Sequence, residues 1–158
     1  MAVVQSTFRE RMVVGLPGQV ATERPYNIDT RTVEPTSGIP FGRAVSQGTN
    51  DKGAKLAGSV LAAFCGVSVR DLTLAPVTAD SDYLDEYPYR ASMGVLTVGD
   101  IWVTTKEAVD AGNAVYFDPT SGLFGDSNAS SGVGPIVGAR WMTSAGSGEI
   151  AKLRLGQG

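Results

Sequence analysis

Short apolar runs broken by glycine recur along this chain, and from Ile39 onward they alternate with polar residues at a period near two, the spacing of a half-buried strand. Phe41 to Val45, after Pro40, predicts a short strand, and Asn50-Asp51-Lys52-Gly53 a turn. Val60 to Val69 is a long apolar run ending with Val67 and Val69 set against Ser68 and Arg70. Helix competes for Ala57 to Phe64, but the β-branched continuation favours strand. Gly94 to Val98 and Ile101 to Thr104 flank Gly99-Asp100, which predicts a hairpin with glycine at a φ > 0 turn position. That register also places Trp102 in the core. Thr104-Thr105-Lys106-Glu107 matches a capping box, so Lys106 to Ala111 is expected to form one helical turn stopped by Gly112. Ala114 to Phe117 predicts a strand, Asp118 to Gly122 a tight turn, and Leu123-Phe124 the return strand. Val137, Ala139 and Trp141 alternate with Gly138, Arg140 and Met142. Ala145 to Gly148 turns the chain, and Ala151, Leu153 and Leu155 then alternate with Lys152 and Arg154. The sum is an all-β body, a β-sandwich or jelly-roll-like barrel.

The first 38 residues break this pattern. Pro17, Pro25 and Pro35, with five charged residues from Glu23 to Glu34, leave no sustained periodicity. The segment reads as too polar for a buried strand and too proline-rich for a helix. Phe8, Met12, Val13, Val14, Leu16, Val20, Tyr26 and Ile28 nevertheless supply irregularly spaced anchors. The expected organisation is an extended N-terminal arm, residues 1–38, lying on its own body or on a neighbouring subunit, and a body of residues 39–158. Removing residues 1–34 is expected to leave that body folded.

Composition narrows the function classes. The chain has 158 residues, enough for one core without disulfide or metal. It holds no histidine and one cysteine, which removes the commonest general base and zinc ligands and any intrachain disulfide. Only 18% of residues are charged and the net charge is −3, so a nucleic-acid footprint is not expected. Residues 1–50 carry +1 and residues 51–158 carry −4. No apolar run reaches the ~18–20 residues of a membrane span, and the N-terminus lacks a signal-peptide pattern, so cytosolic synthesis is expected.

Chemistry-bearing constellations are weak. Asp80, Asp82, Asp85 and Glu86 could offer calcium several oxygens, but no glycine stands at the sharp-turn position and no glutamate closes the loop. Asp100, Glu107, Asp118 and Glu149 could in principle supply the two carboxylates of a glycosidase, yet each falls in a turn or cap signal. Cys65 lies within the apolar run and reads as a buried small hydrophobe. No catalytic residue and no cofactor are expected. Tyr83, Tyr87 and Tyr89, beside Pro88, suit a protein–protein contact.

Several segments together resemble a known family. They are Ile39-Pro40-Phe41-Gly42-Arg43-Ala44-Val45, Gly66-Val67-Ser68-Val69-Arg70-Asp71, Gly94 to Val103, Ala111-Gly112-Asn113-Ala114-Val115-Tyr116-Phe117-Asp118 and Ser144 to Leu153. Over roughly residues 36–155 the chain is similar to the structural cement, or head decoration, proteins of tailed bacteriophages. The resemblance implies a β-sandwich or jelly-roll body on the outside of a capsid, in the virion, across junctions between capsomers of the major capsid protein. It carries no catalytic residues. On this reading the partner contacts are expected at Phe8, Arg9, Arg11, Arg24, Tyr26 and Arg31 of the arm and at the loop residues Tyr83, Tyr87 and Tyr89. A homodimer is preferred over a homotrimer on general grounds of symmetry. The alternative is a carbohydrate-binding β-sandwich module of a phage tail or fibre, using exposed aromatics and calcium at the acidic loop.

Overall fold

The computed structural model describes residues 14–21, 24–74, 85–127 and 132–156. Its strands are β1 (Asn27–Val33), β2 (Ile39–Pro40), β3 (Ala44–Gln47), β4 (Gly53–Leu56), β5 (Phe64–Ser68), β6 (Glu86–Tyr87), β7 (Ser92–Thr104), β8 (Tyr116–Phe117), β9 (Phe124–Gly125), β10 (Arg140–Trp141) and β11 (Ile150–Leu155). A 3-10 turn at Leu61–Ala63 takes up the start of the Val60 to Val69 run and leaves the strand to begin at Phe64. The body is all-β, as the period-two pattern predicts.

The largest sheet runs β1-β4-β3-β5-β7-β11-β10, and β1 also pairs with β7. That extra pairing closes five strands, β1-β4-β3-β5-β7, into a ring. All its pairs are antiparallel except β1 with β4. Closure leaves the five staves with no unpaired edge to recruit another chain.

Two cores follow from the pleat. Val33, Val45, Ala54, Met93 and Val95, from four staves of the ring, pack with Ile39, Phe41 and Tyr87 into one core, and Cys65 of β5 adjoins it. Ala44, Val67 and Leu96 belong instead to a second core, where they meet Ile101, Val103, Phe117, Phe124, Trp141 and Leu153. The ring therefore has a filled inside and a buried outer flank.

One extra residue in β7 makes this arrangement possible. Asn27 pairs with Val98, but its neighbour Ile28 pairs with Leu96, so Thr97 is a bulge. A bulge inserts one residue and reverses the alternation beyond it. Leu96, Ile101 and Val103 thus reach the same core despite their odd spacing. The predicted hairpin at Gly99-Asp100 is not formed. Gly99 does hold a glycine conformation, φ +130°, but within a strand that continues unbroken to Thr104. A Cβ there would lie 2.8 Å from that of Tyr26. The same reversal corrects Trp102: Ile101 and Val103 are fully buried, while Trp102 is half-buried on the opposite face, against Gly15 and beneath the Lys152 ammonium. Trp141 is in the core as expected, and its indole N–H donates to the Gly125 carbonyl. Val137, by contrast, is 92% exposed at a turn rather than part of a strand.

The capping-box expectation also fails. Glu107 accepts the N–H and hydroxyl of Ser127 instead of turning back on a helix start, and Val109 forms a bridge with Ala145. Phe41 to Val45 is not one strand, because Phe41-Gly42 turns between β2 and β3. Other expectations hold closely. The Gly122 N–H donates to the Asp118 carbonyl at 2.9 Å, the Asp118 carboxylate accepts the Ser121 hydroxyl, and β8 and β9 pair across that turn. Ala151, Leu153 and Leu155 of β11 face inward.

The larger correction concerns residues before Ile39. Asn27–Val33 is a stave of the ring despite its polarity, because all of its residues but the half-buried Arg31 and the buried Val33 are exposed. Arg31, on the same face as Val33, donates to Gln47 Oε1 at 2.6 Å and to the Gly53 carbonyl at 3.3 Å. Upstream, Gly18 N–H donates to the Trp102 carbonyl, Trp102 N–H to Gln19, and Ala21 N–H to Asp100. Residues 18–21 and 27–32 therefore lie antiparallel along β7, the first group beside its end and the second beside its start. Residues 1–13 of the expected arm lie outside the described residues.

Candidate interaction surface

The expected contact residues separate into four groups. Phe8, Arg9, Arg11 and Tyr83 lie outside the described residues. Tyr87 is 2% exposed, so its side chain is removed from the surface set. Its ring meets Phe41 edge-on at 5.0 Å and its hydroxyl donates to the Val69 carbonyl at 2.6 Å, while burial pushes the phenol above its ordinary range. Arg31 is an internal tie between β1, β3 and the start of β4, as described above. Arg24, Tyr26 and Tyr89 are exposed. Tyr87 and Tyr89 part company because Pro88 ends β6 and a turn follows, so the two rings leave the chain in different surroundings. Removing the Tyr87 hydroxyl leaves the Val69 carbonyl without its donor, and Tyr87→Phe is expected to cost about 1–1.5 kcal/mol in urea unfolding.

Two exposed places remain. At the first, where the N-terminal run and β1 meet the end of the β7 bulge, Tyr26 is exposed against Gly99 and Ile28 beside Gly94, while Val98, paired with Asn27, is exposed on the opposite face. Arg24, Val98, Asp100 and Arg154 line an adjoining hollow of about 170 Å³. Within it Arg154 grips Asp100 with both ends of its guanidinium, Nε to Oδ1 at 2.7 Å and Nη2 to Oδ2 at 2.9 Å. That bond holds the Asp100 carboxyl below its ordinary range, outweighing the opposing effect of burial. At the second place, Tyr89 and Arg90 stand at the rim of a groove with Glu34, Thr49 and Asn50. Val98 and Arg90 are not among the expected contacts, and Ile28 is expected only as an anchor of the arm. The pairing of β1 with β7, invisible to periodicity, is what sets Ile28 and Val98 beside the same strand.

Small-molecule chemistry finds little here. Among the described residues no three His, Cys, Asp or Glu side chains gather as metal ligands. Asp80 and Asp82 lie outside the described residues, while Asp85 pairs with Arg70 at 2.5 Å. The space between Lys106, Tyr116, Asp118 and Ser127 is about 10 Å³, room for one water at most. Cys65 is half-buried, with its thiol 3.4 Å from the Ala63 carbonyl and its pKa raised by burial. No helix of the described residues is long and apolar enough to cross a membrane.

The family described as "Structural cement protein (E217 gp24/Pam3 gp6)" matches residues 4–156. The chain belongs to the phage structural cement protein family. Membership makes it a bacteriophage structural protein, consistent with a barrel that offers surfaces rather than a chamber. Among solved structures, a chain from "The capsid of Myoviridae Phage XM1" superposes with a TM-score of 0.71 at 15% identity, over 99% of both chains. The N base of head fiber gp8.5 of bacteriophage phi29 superposes with a TM-score of 0.52 at 12% identity, over 82% of this chain and 95% of that one. At such identities these two likenesses speak for the fold. No curated protein matches the chain. The family match covers both the barrel and most of the N-terminal run, so this cement protein is matched along nearly its whole length.

Proposed function

We propose that this protein binds the outer surface of a phage head and bridges neighbouring capsomers of the major capsid protein, adding stability to the shell without chemistry. The observation that carries this reading is the cement-family match over residues 4–156. The fold supports it: a closed barrel is stiff, and among the described residues Tyr26, Ile28 and Val98 are apolar and exposed. The contacts we assign are Arg24, Tyr26 and Tyr89, joined by Phe8, Arg9, Arg11 and Tyr83. Many such contacts repeated over a shell give high avidity from modest individual affinities. A homodimer is the preferred working form, with synthesis in the host cytoplasm before docking.

Mixing purified protein with undecorated capsids, pelleting, and imaging by cryo-electron microscopy tests the reading. Saturable co-sedimentation with added density across capsomer junctions is the expected result. Absence of binding to every maturation state of the shell would overturn it.

A further inference from the structure

Two non-glycine residues among those described hold a positive φ, Ala57 at +44° and Arg90 at +64°. Ala57 is explained by packing, because its methyl is wholly buried in the outer core. Arg90 has no such reason. It is exposed, and it occupies the third position of a turn in which the Ala91 N–H donates to the Pro88 carbonyl at 3.0 Å. A positive φ at that position favours glycine or asparagine, and a long side chain there is strained. The backbone does not need arginine: the Arg90 N–H donates to the Val33 carbonyl, a bond any residue but proline would make.

The side chain's surroundings point outward. The Arg90 guanidinium lies over the Tyr89 ring, 5.0 Å from its centre, and Tyr89 is 45% exposed. Among the described residues no carboxylate pairs with Arg90. Glu34, which lines the same groove, is already committed. Its carboxylate accepts the backbone N–H groups of Thr49 and Asn50 at 2.6 and 2.8 Å and the Asn50 amide at 2.8 Å, and these bonds hold its pKa down. A guanidinium set on an aromatic face, with no carboxylate partner among the described residues and with Glu34 occupied, is suited to receive an external carboxylate.

We propose that the Tyr89–Arg90 turn is a docking point for an acidic segment of the shell, with Arg90 taking a carboxylate and Tyr89 covering the segment's apolar part. This inference rests on the capsid-binding reading and names a partner chemistry for it. The strain at Arg90 is tolerated because the side chain is used in binding, the arrangement in which strained backbone collects at functional positions.

The experiment compares wild type, Arg90→Gly and Arg90→Lys for thermal stability and for co-sedimentation with undecorated capsids at low and high salt. Arg90→Gly relieves the turn and is expected to raise Tm by about 2–4 °C. It is nonetheless expected to weaken capsid binding about tenfold at low salt and to flatten the salt dependence. Arg90→Lys keeps the charge and the strain but loses the planar fork, so it should bind with an intermediate affinity. If wild type binds and Arg90→Gly binds equally well at every salt concentration, the docking point is wrong while the capsid reading stands. If wild type itself fails to bind, both fall.

Discussion

Deleting residues 1–34 is expected to unfold the protein, whereas deleting residues 1–13 is expected to leave it folded. The difference lies in β1. The longer deletion removes a whole stave, with its pairs from Asn27↔Val98 to Thr32↔Ser92 and its link to β4 at Thr32↔Gly53 and Val33↔Ala54. The ring then opens. It exposes the inner core that Val33 helps fill and leaves β4 and β7 with unpaired edges. Losing Val33 from that core alone resembles a large-to-small substitution costing about 2–4 kcal/mol, before any lost strand pairing is added. Against a total stability of about 5–15 kcal/mol, the sum is not survivable. Circular dichroism and size-exclusion chromatography of both truncations check this. A folded 35–158 fragment would mean that the ring does not depend on β1. The shorter truncation is also the proper test of the arm in capsid binding, because it removes Phe8, Arg9 and Arg11 and spares the barrel.

The second large effect is expected at Asp100. The residue is only 2% exposed, its carboxylate is bound bidentately by Arg154, and its backbone carbonyl receives the Ala21 N–H. One residue thus joins the N-terminal run, β7 and β11. Replacing it with alanine strands a half-covered guanidinium, and breaking a buried pair in this way costs about 3–5 kcal/mol. Arg154 keeps 17% of its side chain exposed, so the lower end is expected. The pH dependence has a definite sign. Asp100 titrates below its ordinary value because Arg154 favours its charged form. Its contribution is therefore fully present above the unfolded-state pKa, about 3.9, and is lost as pH falls through the depressed folded-state value. Urea midpoints measured from pH 6 downward should converge for wild type and Asp100→Asn at the acid end. Parallel curves would show that the pair carries no net stabilisation.

What the sequence reveals of this fold depends on whether a feature is local. The Asp118 to Gly122 turn and the alternation of Ala151, Leu153 and Leu155 are read correctly because each is decided within a few residues. Gly99-Asp100 misleads for the same reason. Glycine reports a φ that other residues avoid, and within a short window a hairpin and a bulged strand ask for the same φ. Only the pairing with β1 distinguishes them. β1 escapes the pattern because Asp29, Thr30 and Thr32 are exposed and Val33 alone is fully buried, so no alternation marks the strand. Its half-buried Arg31 is satisfied by Gln47 and by the Gly53 carbonyl, partners 16 and 22 residues away. Arg24, Tyr26 and Tyr89 are exposed, which a contact role requires, but nothing in the pattern separates Tyr87 from Tyr89, two positions apart in one aromatic cluster. Arg90 gives no signal in the sequence, because its positive φ and its turn are visible only in the structure.

The two ends of the described chain flank the same strand. The N-terminal run starts beside the end of β7 and proceeds toward its beginning, while β11, on the other side, runs from Thr104 back to Gly99 in the same direction. A pull on the N-terminus and an opposing pull on the C-terminus would therefore act along the axis of β7 in opposite senses. Inter-strand hydrogen bonds lie across that axis, so such tension loads them together in shear instead of peeling them apart one by one. A molecule anchored through its two ends would meet stretching with the full length of β7, and the Asp100–Arg154 pair would sit in the middle of the strained span.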